Sequence, residues 1–298
     1  MRRRFPSVAK DGGTGWDAGW DMDLHQAVVC GDAEGVRRAA SRADVDVNRR
    51  FRGMTALSLA VFNGDSDIVK VLVKFGADVN EKSKDRSERI ESPLLSACRL
   101  SYADIVKVLL KSGADANQTD FYNQSALWVA TKESRLDLVK LLVEHGAKLD
   151  IAQRWCECPV YLCAKYLNHR NRGEILRYLV SCGARADMSD YQGRNSLFWA
   201  LAHEDADAVR FIVTSGGFKM EAWPWLEPSS IPRELSSDPT FMVWLEGVKE
   251  SPPPLQERCR TVIRARLSEL TSGTTIRSRI RCLPLPPRLR LYLLLNVE

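Results

Sequence analysis

Apolar residues in the first two-thirds of the chain do not form long runs. They return in short blocks at fixed distances. Leu24, Leu57, Leu94, Leu127, Val160 and Leu197 are spaced 33, 37, 33, 33 and 37 residues apart. A second set of blocks follows them: Ile68-Val69-Lys70-Val71-Leu72-Val73, Ile105-Val106-Lys107-Val108-Leu109-Leu110 and Leu138-Val139-Lys140-Leu141-Leu142-Val143. Apolar positions in these blocks fall at helical spacing, which predicts one buried face on a short helix. Gly76, Gly113, Gly146, Gly183 and Gly216 close the blocks at spacings of 37, 33, 37 and 33, each suited to a left-handed turn at a helix end. The pattern predicts a unit of two short helices and a loop. The two longer intervals predict loop insertions of four residues.

The first helix of each unit has its own signature. It reads Thr55-Ala56-Leu57-Ser58-Leu59-Ala60, Ser92-Pro93-Leu94-Leu95-Ser96-Ala97, Ser125-Ala126-Leu127-Trp128-Val129-Ala130 and Asn195-Ser196-Leu197-Phe198-Trp199-Ala200, with Leu24-His25-Gln26-Ala27 and Cys158-Pro159-Val160-Tyr161-Leu162-Cys163 as weaker copies. Thr55, Ser92 and Ser125 are expected N-caps. Ala60, Ala97, Ala130 and Ala200 let two helices approach closely. One such unit cannot bury its own apolar face, so the units must stack. The pattern resembles the ankyrin T-P-L-H-x-A motif over six units at residues 21–218. That resemblance implies an all-α ankyrin-repeat solenoid. The motif histidine survives only at His25, which predicts apolar packing in place of hydrogen bonds between repeats. His145 sits at the end of a second helix, where a cation is favourable.

The period stops after Phe218. Residues 219–250, with Trp223-Pro224-Trp225 and Phe241-Met242-Val243-Trp244-Leu245, read as a degenerate capping segment. Residues 1–20 read as a flexible tail. Ser251-Pro252-Pro253-Pro254 marks a boundary, and residues 251–298 form a separate box. Within it Leu255, Cys259, Val262, Ile263 and Leu267 share one helical face. Arg258, Arg260 and Arg264 fall outside that face, and Arg266 within it. Pro284, Pro286 and Pro287 exclude regular helix at 284–287, and helix is expected again at 288–295.

This C-terminal stretch resembles a three-helix SOCS box. The resemblance implies that Leu255, Cys259, Val262, Ile263 and Leu267 bind elongin C. It implies that Leu283, Pro284, Leu285, Pro286, Leu289 and Tyr292 bind a cullin, with the Leu-Pro-Leu-Pro form pointing to Cullin-5. The whole chain is then similar to the ankyrin-repeat and SOCS-box family, whose members are non-catalytic substrate receptors. The implied partners are elongin C, elongin B, Cullin-5 with its RING partner, and a target held by the repeats. A scaffold or signalling adaptor without a link to ubiquitin is the alternative.

Composition narrows the choice. The 298 residues carry a net charge of +5. Nine arginines and three glutamates lie after Pro254, leaving 34 basic and 35 acidic residues before it. A nucleic-acid protein would need a basic stripe on its main body, and this one is neutral. No apolar run reaches the ~18–20 residues of a membrane span. The N-terminus lacks the apolar segment of a secretory signal, and Asp11 and Asp17 argue against a transit peptide. The expected compartment is the cytoplasm, with the nucleus as a second. Eight cysteines in a chain of this size are expected as free thiols. The Cys156-x-Cys158-x4-Cys163 spacing, even with His169, matches no usual zinc site. No phosphate loop, nucleophile elbow or zinc-protease motif is present, so neither cofactor nor metal is expected.

Target contacts are expected at the loop fingers. Alignment on the first helices places Phe51, Phe121, Tyr122, Trp155 and Tyr191 there, and aromatic residues are typical interface anchors. The alternative surface is the concave set of helix ends at Phe62, Arg99, Lys132, Glu133, Lys165 and His203.

Overall fold

A computed structural model describes residues 22–84, 89–152, 157–166, 171–215, 231–250, 255–271 and 274–295. The chain divides into two compact units, residues 1–129 and 130–298.

In the first unit α1 (Met22–Cys30) packs on α2 (Ala33–Ala40) and on α3 (Ala56–Asn63). The next pair follows the same plan. α3 packs on α4 (Ser66–Lys74) and α5 (Pro93–Arg99), and α5 packs on α6 (Ala103–Lys111), which also meets α4. Two antiparallel hairpins project between the pairs. β1 (Arg50–Phe51) pairs with β2 (Met54–Thr55), and β3 (Ser83–Lys84) with β4 (Ile90–Glu91). The division falls inside α7 (Ala126–Lys132).

The second unit continues with α8 (Leu136–Glu144), α9 (Pro159–Lys165), α10 (Arg172–Ser181), α11 (Ser196–Ala202) and α12 (Ala206–Thr214). There α10 packs on α8 and α9, and α11 on α9 and α12. Beyond them lie α13 (Arg233–Ser236) and α14 (Pro239–Glu250), in the segment read as degenerate. The last three helices are α15 (Leu255–Leu270), α16 (Arg277–Cys282) and α17 (Pro287–Leu293).

The periodic anchors form the core: Leu24, Leu57, Leu94, Leu127, Val160 and Leu197 are all buried. The caps sit where the sequence puts them. Thr55 Oγ1 accepts the Ser58 amide at 3.1 Å, Ser92 Oγ that of Leu95 at 3.4 Å and Ser125 Oγ that of Trp128 at 3.2 Å. Gly76, Gly113, Gly146 and Gly183 all take the left-handed conformation expected of them. The longer intervals contain stretches outside the described residues, 85–88 between β3 and β4 and 167–170 between α9 and α10.

Two expectations need correcting. Repeats are linked by hydrogen bonds despite the lost histidines, because other side chains take over. Asn48 Nδ2 donates to Gly76 O at 3.3 Å while its Oδ1 accepts the Asp78 amide at 2.7 Å. Asn80 repeats the device one unit on, with Gly113 O at 3.2 Å and the Asp115 amide at 2.7 Å. In the second unit Asp150 accepts the Arg185 amide at 3.0 Å, and the Tyr161 hydroxyl donates to Asp190 at 2.7 Å. His25 itself bonds Met54 O at 3.3 Å. The second correction concerns Pro287. It opens α17 rather than excluding helix, since the first helical position needs no N–H and favours the proline φ.

Each asparagine bridge satisfies one carbonyl and one amide, and a net hydrogen bond is worth about 1 kcal/mol. Asn80→Ala should therefore destabilise the protein by roughly 1–2 kcal/mol. Urea unfolding followed by far-ultraviolet dichroism checks this, and an unchanged midpoint would refute it.

Candidate partner-binding site

The last carbonyls of an α-helix lack amide partners inside it and carry the negative end of its dipole. At the end of α10 the C-terminal box supplies donors. Arg264, on α15, donates to Val180 O and, at 3.3 Å, to Ser181 O. The same guanidinium donates to Leu293 O in α17 at 2.6 Å. One side chain thus ties two box helices to the repeat. The Ile276 amide donates to Cys182 O at 2.8 Å, and Arg277 Nη1 to Ser181 Oγ at 2.9 Å. Arg260 reaches Thr214 O at the end of α12 at 2.5 Å, with its guanidinium 4.5 Å above the Tyr292 ring. Arg260 and Arg264 are both buried. Burial, reinforced by the charges of Arg260 and Arg277, brings the Arg264 pKa down to about 10, so it stays a cation at neutral pH.

Apolar contacts hold the box itself together. Ile276, Ile280, Leu293 and Leu294 form a buried cluster, with Leu267, Leu283 and Leu285 packed partly against it. Gly183 has φ +106°, and a methyl group there would lie 3.1 Å from the Ile276 side chain. The site therefore asks for glycine twice, for its backbone angle and for the room it leaves.

The residues read as elongin contacts divide between two sides of α15. Cys259 and Val262 face outward, with Val262 68% and Ile263 39% exposed. Leu267 turns toward the internal cluster. Leu255 lies in α15, but its side chain is outside the described set. Arg266 is exposed and pairs with Glu269 at 2.7 Å. Among the residues read as cullin contacts, Pro284 and Pro286 are exposed and Leu289 is 50% exposed. Leu283 and Leu285 are half-buried, and Tyr292 lies beneath Arg260.

The fingers share a construction that the sequence reading missed. Asp120 Oδ1 accepts the amides of Tyr122 and Gln124, both at 2.9 Å, which fixes a tight turn. Arg99, on α5, holds the Asp120 carboxylate at 3.3 Å and that of Glu91 at 3.2 Å. Phe121 stands out from this turn, 70% exposed, edge-on to Tyr122 at 5.4 Å. Asp190 does the same in the second unit. Its Oδ1 accepts the amides of Gln192 at 2.9 Å and Arg194 at 3.0 Å, and Arg194 pairs with Oδ2 at 2.7 Å. Burial pushes this carboxyl up, but the bonds from Arg194 and Tyr161 outweigh it and hold the pKa at about 2. Tyr191 follows it, 74% exposed. The shared signal is an aspartate directly before an aromatic residue. Phe51 is half-buried in β1, 5.8 Å from the His25 ring. Trp155 lies outside the described residues. Of the concave set, Lys165 pairs with Glu157 at 2.6 Å, and His203 Nε2 bonds Lys165 O at 2.9 Å.

Among the described residues, Cys98, Cys158 and Cys163 are free thiols buried in the core. Burial pushes the thiols of Cys98, Cys158 and Cys163 up to about 12, far from a nucleophilic thiolate at neutral pH. Cys156 and His169 lie outside the described residues, among which no three potential metal ligands cluster. No helix among the described residues is long and apolar enough to cross a membrane.

Comparison with known proteins agrees with this architecture. The family model of ankyrin repeats matches in three copies over residues 24–120 and 84–153, and that of the SOCS box matches residues 251–294. The chain is thus an ankyrin-repeat protein with a C-terminal SOCS box. It belongs to the ankyrin-repeat and SOCS-box family. Among curated proteins it is 25% identical to mouse inversin over 193 residues, which cover 63% of this chain and 17% of inversin. Dog inversin matches to the same extent. Among solved structures, an ankyrin repeat domain from Acinetobacter baumannii superposes with a TM-score of 0.60 at 24% identity, covering 65% of this chain and 98% of that one. Another ankyrin repeat protein gives 0.57 at 25% identity, covering 65% and 96%.

Arg264→Met keeps much of the side-chain volume but removes the charge and its donors. Breaking a buried, charge-assisted set of bonds costs on the order of 3 kcal/mol. The variant should lose amide-exchange protection across α15–α17 while α3–α6 keep theirs. Arg264→Lys should restore only part of it, because one ammonium cannot reproduce the planar fork. Unchanged protection in Arg264→Met would overturn the assignment of Arg264 as the tie.

Proposed function

We propose that this protein is the substrate-recognition subunit of an elongin B/C–Cullin-5 ubiquitin ligase, with the ankyrin repeats capturing the target. One observation carries the reading. The box docks through its arginine face, which leaves the apolar residues Cys259, Val262 and Ile263 facing out. Exposed apolar surface of this kind marks an interaction site. On this reading elongin C covers the outer face of α15, and elongin B joins through elongin C. Pro284, Pro286 and Leu289 present the cullin contacts, while Leu283 and Leu285 hold the segment in place from beneath. The receptor supplies proximity, converting ubiquitin transfer to the target into a local event. The ubiquitin chemistry belongs to the RING partner and its conjugating enzyme. Phe121, Tyr122 and Tyr191 are the proposed target anchors, displayed on turns that the Asp120 and Asp190 carboxylates set in advance, which lowers the entropic cost of binding.

Three sets of substitutions separate these roles. Cys259→Asp with Val262→Asp should abolish co-purification of elongins B and C and leave the thermal transition within about 2 °C of wild type, because surface changes cost the fold little. Pro284→Ala, Pro286→Ala and Leu289→Ala together should retain the elongins and lose Cullin-5. Phe121→Ala, Tyr122→Ala and Tyr191→Ala together should retain both and lose the target, each anchor weakening binding by ~2 kcal/mol. Proximity labelling with the elongins as internal control reads all three. Wild-type protein that fails to co-purify with the elongins would favour the scaffold alternative instead.

A further inference from the structure

A cleft of about 590 Å³ opens in the second unit where the box meets the repeats. Its volume lies within the range of pockets that bind small ligands or short peptide segments. Two i,i+4 pairs form its walls. Lys140 and Glu144 come from α8, and Arg277 and Arg281 from α16. Tyr178 from α10 lies between them, with Lys140 Nζ 5.8 Å and the Arg277 guanidinium 5.4 Å from its ring centre. Among the described residues, three cations line the cleft against one carboxylate.

The sequence around α16 strengthens the imbalance. Between Glu269 and Glu298 there are five arginines, Arg277, Arg279, Arg281, Arg288 and Arg290, and no acidic residue. Arg281 lies near the helix C-terminus, where the dipole favours a cation, but Arg277 opens the helix, where it does not. Like charges set this close together favour an anionic ligand. Arginine recognises carboxylates through a planar fork of donors, and the aromatic ring gives an apolar surface for the stem of a bound side chain. Glu144 opposes any anion in the cleft, phosphate and carboxylate alike. The rest of the chain is nearly neutral and offers no basic stripe for a phosphate backbone to follow, which favours carboxylates on a protein over nucleic acid.

We propose that this cleft binds an acidic peptide segment of the captured target, so that the SOCS box forms part of the recognition surface together with α8 and α10. The inference rests on the receptor reading above for the identity of the ligand's owner, and on the cleft alone for its chemistry. The site has one wall from the box, so it exists only while the box is docked.

The test uses the full chain and a fluorescein-labelled peptide of eight glutamates, followed by anisotropy at 50 and 300 mM salt. Saturable binding is expected, weakening at the higher salt. Lys140→Glu with Arg281→Glu should weaken it at least tenfold. Arg279→Glu with Arg288→Glu makes the same net charge change at box positions outside the cleft and should alter it less than twofold. Glu144→Gln should tighten it. Absence of saturable binding, equal loss in both charge-reversed pairs, or tighter binding of an RNA octamer each overturns the proposal. Elongin co-purification is measured on the same variants and should not change. Wild-type protein that binds the peptide but not the elongins leaves the cleft standing and refutes the receptor reading. The converse result refutes the cleft alone.

Discussion

The capping of α10 and α12 by arginines is the interaction on which the C-terminal half depends. Arg260 and Arg264 are one turn apart and point to the same side of α15, toward Thr214 O, Val180 O and Ser181 O. At 100° per residue Val262 then stands about 160–200° away from both. Once the guanidinium groups are turned toward the repeats, Val262 has no direction left but outward, while Leu267, close to the Arg260 direction, turns in. The exposed face is therefore a geometric result of the docking, and the same contact that attaches the box also readies it for a partner.

Such a contact is costly to form. Burying a guanidinium gives up hydration, and carbonyl dipoles repay it only with good geometry. A purely apolar joint would attach the box at least as firmly. Its disadvantage is orientation, since apolar patches tolerate sliding and rotation. Donors aimed at carbonyls in α10, α12 and α17 leave one arrangement. The Ile276 amide on Cys182 O and the close fit of Ile276 against Gly183 reinforce it. For the proposed role of positioning other molecules, a fixed angle serves better than a stronger joint.

The repeats were legible in the sequence because a solenoid writes its period into the chain. Every periodic anchor is buried in its own unit, so spacing alone locates the core, the caps and the turns. The polar links were harder to see. Asn48 and Asn80 lie in loops, where asparagine is common for other reasons, and the turns at Asp120 and Asp190 share only an aspartate before an aromatic. The docking surface was hidden further. On a helical projection Arg260 and Arg264 look like a solvated face, and only partners 29 to 84 residues away turn them into buried ties. The same blindness made Leu267, Leu283 and Leu285 look like pure partner contacts, although they pack on the box's own small cluster.

The outward face of α15 also bears on abundance. A small cluster centred on four buried residues holds the box together, and its apolar stripe is open to any hydrophobic surface it meets. A ligand that binds only the folded state stabilises it in proportion to the logarithm of its concentration. Chains made in excess of their covering partner would be the less stable fraction and the natural substrates of chaperones and proteases. On the proposed receptor reading, the level of the protein would then follow the supply of its partner, a stoichiometric control set by a few uncovered side chains.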